Sequence, residues 1–276
     1  MMNKRFLEGM YPWHWVYQLR NSLDFPLRSL ISWKRPLPAL EKSTNSLPIS
    51  CFPYPIQGQA KTLIQQFHLN ELPLSFTDFQ LGVNCYYLDV LTQVFSTIKV
   101  EWGATLRAAD VGPSDWFYLP ALVQFLSYHQ ALQAREVSLE GFEIDPYRVY
   151  ADLHSRFDHA QQQCTAFPGV IYHPRAFHEQ PEKYDVLIQF FPFLFLKDHL
   201  EWGLPRSLFD PEKLFGSLAS SLKPGGTWVI LNQGNAEHTL QKELVAVSGL
   251  KILTAFEFQS VYKHYEKSHW AMVITK

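Results

Sequence analysis

The sequence predicts an α/β fold: a mostly parallel seven-stranded sheet whose last strand runs antiparallel, preceded by an N-terminal helical extension. Three observations predict it. From residue 104 onward, apolar runs of strand length alternate with runs of helical spacing, which is the pattern of a parallel sheet with crossover helices. The first of these runs ends in Asp110-Val111-Gly112-Pro113-Ser114-Asp115, an acid and a glycine turn between strand and helix. The chain closes on two strand-like segments, 250–258 and 269–275, joined by the polar stretch 262–268 without a helix, so these two should pair antiparallel.

Residues 1–100 show no such alternation. Pro26, Pro36, Pro38, Pro48, Pro53 and Pro55 rule out one long helix. Helices are expected over 13–30, over 58–69 and over 83–98, the last with Leu88, Leu91, Val94, Phe95 and Ile98 at helical spacing. This region reads as an extension or cap, residues 1–100, covering one edge of a domain spanning 101–276. Within that domain the expected order is strand 104–110, helix 116–134, strand 137–143, helix 146–163, strand 169–173, strand 184–190, helix 210–222, strand 226–232 and helix 236–248. Pro146 suits a first helical turn, and Asp145 beside it reads as the helix N-cap.

Composition narrows the function. Hydrophobic residues make up 47% of the chain, enough for a large core without metals or disulfides. A net charge of −2 argues against a dedicated nucleic-acid binder. Cys51, Cys85 and Cys164 are odd in number and widely spaced, which fits reduced thiols. No apolar run reaches the ~18 residues of a membrane span. Residues 1–20 lack the apolar core and cleavage site of a secretory signal, so a cytoplasmic location is expected. Residues 1–36 carry Lys4, Arg5, Arg20, Arg28, Lys34 and Arg35 against Glu8 and Asp24, with Trp13, Trp15 and Trp33 interleaved. Single-stranded nucleic acid or a membrane surface would suit such a stretch. The preferred reading is a helix that buries its aromatic side on the main domain.

Four landmarks carry the chemistry. Asp110 and Gly112 shape a strand-to-helix turn at which helix N–H groups point into a pocket. Glu143, at the tip of the second strand, has acceptor capacity for two ribose hydroxyls. Asp185 opens the fourth strand, and Leu222-Lys223-Pro224-Gly225-Gly226 turns into the fifth. In this order, over roughly residues 100–276, the chain resembles the class I, Rossmann-like S-adenosylmethionine-dependent methyltransferases. The resemblance implies S-adenosylmethionine as cofactor, lying across the carboxyl ends of the first two strands. Asp110, Gly112, Pro113 and Ser114 would shape its methionine and ribose side. Glu143 would hold the ribose, Arg175, Ala176 and Phe177 would border the adenine, and Ile144, Gln189 and Phe190 would be further cofactor-binding residues. Asp185 would support loop geometry.

The sequence also departs from the family. Ser114 and Trp116 stand where the second and third glycines would be, and Trp116 is expected to narrow the pocket or stack over it. His173-Pro174-Arg175-Ala176 offers no acid for an adenine amino group, and Phe190-Phe191-Pro192-Phe193 replaces the Asn-Pro-Pro-Tyr of amino-group methyltransferases. The acceptor implied is small or apolar, with the run from Phe190 to Phe195 either a substrate wall or core. Methyl transfer gains mostly from proximity and alignment, so no catalytic residue is assigned. A non-catalytic binding or interaction protein on the same fold is the alternative. A nicotinamide cofactor needs glycines near its pyrophosphate that this turn lacks. His173 or His178 beside the pocket could act as a base. His154 and His159, five apart rather than four, read as surface or packing residues and no metal is expected. Asn232-Gln233-Gly234-Asn235 reads as a turn that could also offer polar contacts.

Overall fold

A computed structural model describes residues 4–30, 37 and 47–276. The apolar runs become seven strands: β1 (Thr105–Val111), β2 (Glu136–Phe142), β3 (Val170–His173), β4 (Tyr184–Phe190), β5 (Leu222–Gln233), β6 (Lys251–Phe258) and β7 (His269–Thr275). They form one sheet in the order β3-β2-β1-β4-β5-β7-β6. β1 to β5 pair in parallel, while β7 runs antiparallel to both β5 and β6. The antiparallel last strand and the β6–β7 pairing are therefore as expected. Leu222 pairs with Tyr184 and Thr227 with Val186, so the Lys-Pro-Gly-Gly turn loops out inside β5.

Eight α-helices cover the sheet among the described residues: α1 (His14–Arg28), α2 (Tyr54–Gln66), α3 (Asp78–Ser96), α4 (Leu119–Tyr128), α5 (Arg156–Cys164), α6 (Leu196–Glu201), α7 (Pro211–Ser221) and α8 (Gly234–Ser248). Each sheet face packs its own apolar cluster. One joins α2, α3, α4 and α5 to residues such as Ala108, Ile188 and Val273, and the other joins α6, α7 and α8 to Ala109, Leu187 and Met272. Successive residues of a strand face opposite ways, so each central strand feeds both clusters. The helix α3 starts at a capping box, with the Thr77 hydroxyl accepting from Gln80 N–H at 3.2 Å and Gln80 Oε1 accepting from Thr77 N–H at 2.9 Å. It is apolar nearly all round and lies on the sheet face beside α4 and β7, rather than along an edge.

Three helical expectations need correction. The helix after β1 begins only at Leu119, because Ser114 (φ 60°) and Trp116 (φ 58°) adopt left-handed backbone that a helix cannot contain. The segment after β2 is not helical from 146. It turns at Leu153 (φ 65°), pairs Val149 with Ser155, and enters α5 at a capping box of Ser155 and Asp158. Ser155, not Asp145, is therefore the N-cap. The short α6 has no counterpart in the periodicity of the sequence.

The N-terminal helix departs further. α1 seats on α6 through polar residues: Asn21 Nδ2 donates to the Leu200 and Leu204 carbonyls at 2.8 and 3.0 Å, and His14 Nε2 lies 3.2 Å from Glu201. Trp13, Trp15, Val16, Leu19, Leu23 and Leu27 point to solvent, each about half exposed. The aromatic side is not buried, because the hydrogen-bonded seat is the opposite face. Trp33, Lys34, Arg35, Pro36 and Pro38 lie outside the described residues.

Candidate functional site

The strand order reverses between β1 and β4, which leave in opposite directions across the sheet. At such a switch point the flanking connections part and leave a crevice beyond the carboxyl ends of the strands. β1 ends there in the turn that begins at Gly112, whose N–H donates to the Phe142 carbonyl at 2.9 Å. Gly112 has φ +84°, and no atom lies within 4 Å of where a Cβ would stand, so the backbone faces open space. The turn is tied to β2 by Glu143. Its Oε2 accepts from Ser114 N–H at 2.8 Å, and its Oε1 accepts from Asp145 N–H at 2.7 Å. Burial raises the Glu143 pKa, opposed by Arg156 and by these two N–H donors. Each carboxylate oxygen keeps a further lone pair.

Asp110 lies beneath the turn and is fully buried. Its Oδ2 accepts from Trp116 Nε1 at 2.8 Å and from Tyr118 Oη at 2.7 Å, and its Oδ1 makes no hydrogen bond. Desolvation, stronger than these two donors, pushes its pKa up to about 7. Trp116 neither narrows nor covers the pocket. It is fully buried and lies on the α-carbon of Gly141, where a Cβ would come within 2.7 Å of its ring. The missing side chain in β2 makes room for the indole, and the indole N–H fixes Asp110.

Beside Glu143, Asp145 gathers three arginines. Arg28 Nη1 donates to both of its oxygens at 2.8 Å, Arg148 Nε donates at 2.8 Å, and Arg156 Nη1 stands 3.4 Å away. These cations come from α1, from the segment before α5 and from α5 itself, so one carboxylate ties the three together.

A cavity of about 830 Å³ opens at the switch point. From the turn after β1 it is lined by Gly112, Pro113 and Ser114, and from the end of β2 by Glu143 and Ile144. Ala176, Gln189 and Phe190 also line it. Asp110 and Arg175 do not: Asp110 is sealed under Trp116 and Tyr118, and Arg175 is exposed. The run from Phe190 to Leu194 forms part of the wall, while Phe190, Leu194 and Phe195 also pack into the core. Asp185 is at the far end of β4, accepting from Arg107 N–H at 2.9 Å and pairing with Lys223 at 2.6 Å. It supports the turn into β5, as expected.

The histidines are sorted by the fold. His173 lies 3.2 Å from Glu140 and stacks on Phe142, and neither it nor His178 lines the cavity. Instead His199 and His269 do, with Tyr87 from α3 and Tyr265 from the link before β7. No spacing in the sequence marks these four, since they come from distant segments. His154 and His159 converge on Asp152, at 3.4 and 2.9 Å, with all three ligand-type atoms within 4.8 Å of one another. Their spacing of five is no bar, because His154 is in the turn and only His159 is in α5. The three cysteines are free thiols, and burial raises all three pKa values.

No protein-family profile matches this sequence, and no curated protein matches it. Solved structures with a similar fold include an S-adenosylmethionine-dependent methyltransferase from Aquifex aeolicus (14% identity, TM-score 0.45, covering 68% of this chain and 90% of that one). Others are the N-methyltransferase NodS from Bradyrhizobium japonicum WM9 (10%, 0.45, 72% and 98%) and a precorrin-6y C5,15-methyltransferase from Geobacter metallireducens GS-15 (13%, 0.44, 68% and 87%). At these values the likeness says nothing of what this chain acts on.

Proposed function

We propose that the chain is an S-adenosylmethionine-dependent methyltransferase with a small or apolar acceptor. The observation that carries this reading is the junction of the Gly112 turn and Glu143 on one cavity at the sheet's switch point. The residues fit the cofactor. Glu143 has lone pairs left for two ribose hydroxyls, and Gly112 leaves its backbone open to the methionine part. Ala176 and the neighbouring Phe177 would border the adenine, and Gln189 with Phe190 would close the floor. The bound cofactor would supply an electrophilic methyl group on a sulfonium. The chain's part is to hold that methyl in line with a nucleophile and keep water out, which by itself removes much of the barrier. Residues 1–100 would serve as a cap whose α3 supplies Tyr87 to the acceptor side.

Calorimetry with S-adenosylhomocysteine tests the reading. Binding is expected, and Glu143→Ala should weaken it about 100-fold, the loss of two charge-assisted hydrogen bonds. No heat of binding at about 1 mM ligand, the weak limit of specific recognition, would sink the proposal.

A further inference from the structure

We propose that Asp152, His154 and His159 form a binding site for a divalent transition-metal ion of the zinc class, which fastens the turn before α5 to the helix itself. The site is independent of the methyl-donor reading.

The two imidazoles are five residues apart in sequence. On one continuous helix that spacing sets side chains ~140° apart, too far round to share an ion. The fold removes the obstacle. Leu153 has left-handed backbone (φ 65°), Tyr150 N–H donates to the His154 carbonyl at 2.8 Å, and the chain doubles back so that Val149 pairs with Ser155. His154 is therefore on the turn, while His159 follows the Ser155–Asp158 capping box that starts α5.

Three ligand-type atoms meet there. Asp152 Oδ2 lies 3.4 Å from His154 Nδ1 and 2.9 Å from His159 Nε2, and all three atoms are within 4.8 Å of one another. At metal–ligand distances of ~2.0–2.2 Å, tetrahedral ligands stand about 3.4 Å apart. The edge to His154 already has that length, and the edge to His159 needs to open by about half an ångström. The His154 approach is also beyond the ~3.2 Å of an ordinary N–H···O bond. The ligands are positioned in advance. Asp152 Oδ1 accepts from the His154 N–H at 3.0 Å, which leaves Oδ2 for the imidazoles. Tyr150 packs edge-on against His159, with 5.4 Å between ring centroids. A hydrogen-bonded carboxylate and a fixed ring are the supports that orient metal ligands.

The donor set selects the ion. Two imidazoles with one carboxylate suit zinc and its neighbours, whereas magnesium and calcium take oxygen ligands. The side chains of Asp152, His154 and His159 are 46%, 17% and 26% exposed, so water can complete the coordination. None of the three lines the cavity, which makes the ion a fastening and not a reactant. Its influence runs through α5. Arg156, one turn before His159, lines the cavity and lies 3.9 Å from Glu143 and 3.4 Å from Asp145.

The full chain, freed of metal by dialysis against a chelator, is titrated with zinc chloride alone. One equivalent should bind with a Kd tighter than ~100 µM. His154→Ala and His159→Ala should each weaken binding by about 100-fold, the upper end of what losing even an outer partner of a ligand costs. His264→Ala, at an exposed histidine elsewhere, should leave it unchanged. In the unaltered chain, the ring nitrogen resonances should place zinc on Nδ1 of His154 and Nε2 of His159, a readout independent of whether any variant folds. No binding tighter than ~100 µM, undiminished binding in either variant, or unmoved ring nitrogens at His154 and His159 would overturn the proposal.

Discussion

Trp116 and Gly141 show how a single position can mislead when read along the chain. Trp116 occupies a place where a glycine would leave room for a ligand, yet its side chain turns away from the cavity into space that β2 vacates at Gly141. Restoring a Cβ there pushes atoms to within 2.7 Å of the indole. Gly141→Ala should therefore destabilise the fold by about 1–3 kcal/mol, read from denaturant unfolding. Asp110 beneath it has a pKa raised from an ordinary 3.8 to about 7. A carboxyl whose folded pKa is raised contributes its full stability below the ordinary value and loses it as pH rises through the folded one. Asp110→Asn has no such titration. Its Tm relative to the unaltered protein should rise by ~5 °C between pH 4 and pH 8, and a difference independent of pH would contradict the assignment.

Among elements, the strands were legible and the helix starts beside the site were not. β4 and β7 match their apolar runs residue for residue, since strand formation follows the local pattern of burial. The starts of α4 and α5 are decided by contacts from elsewhere. Glu143 pulls the Ser114 N–H toward β2, and Asp145 is held by arginines from α1 and α5. Asp145→Ala would leave three cations without their shared partner, all of them more than half buried. A loss of about 3–5 kcal/mol in unfolding free energy is expected. Ser155→Ala removes only a cap and should cost about 1 kcal/mol, with α5 otherwise intact by circular dichroism.

Across the whole molecule, two sheet faces and one switch point set where ligands go. A ligand that binds only the folded chain raises its stability by mass action. S-adenosylhomocysteine at 100 times its Kd should therefore lift Tm by about 5 °C, from ~2.7 kcal/mol of binding linkage. The solvent-facing stripe of α1 adds nothing to the core, so Leu23→Glu should change stability by less than ~0.5 kcal/mol. By itself the sequence determined the class of fold, the order of strands along the chain, and the two local features of a glycine turn at Gly112 and an acid, Glu143, at the tip of β2. Those depend on short-range periodicity and on turn residues, which act within a few positions of one another. Only the tertiary structure decided that Trp116 packs inward, that Asp145 is an arginine hub and that His269 stands in the cavity wall. Each of these depends on partners dozens of residues or more away in sequence or on another strand, brought together only when the sheet closes its core.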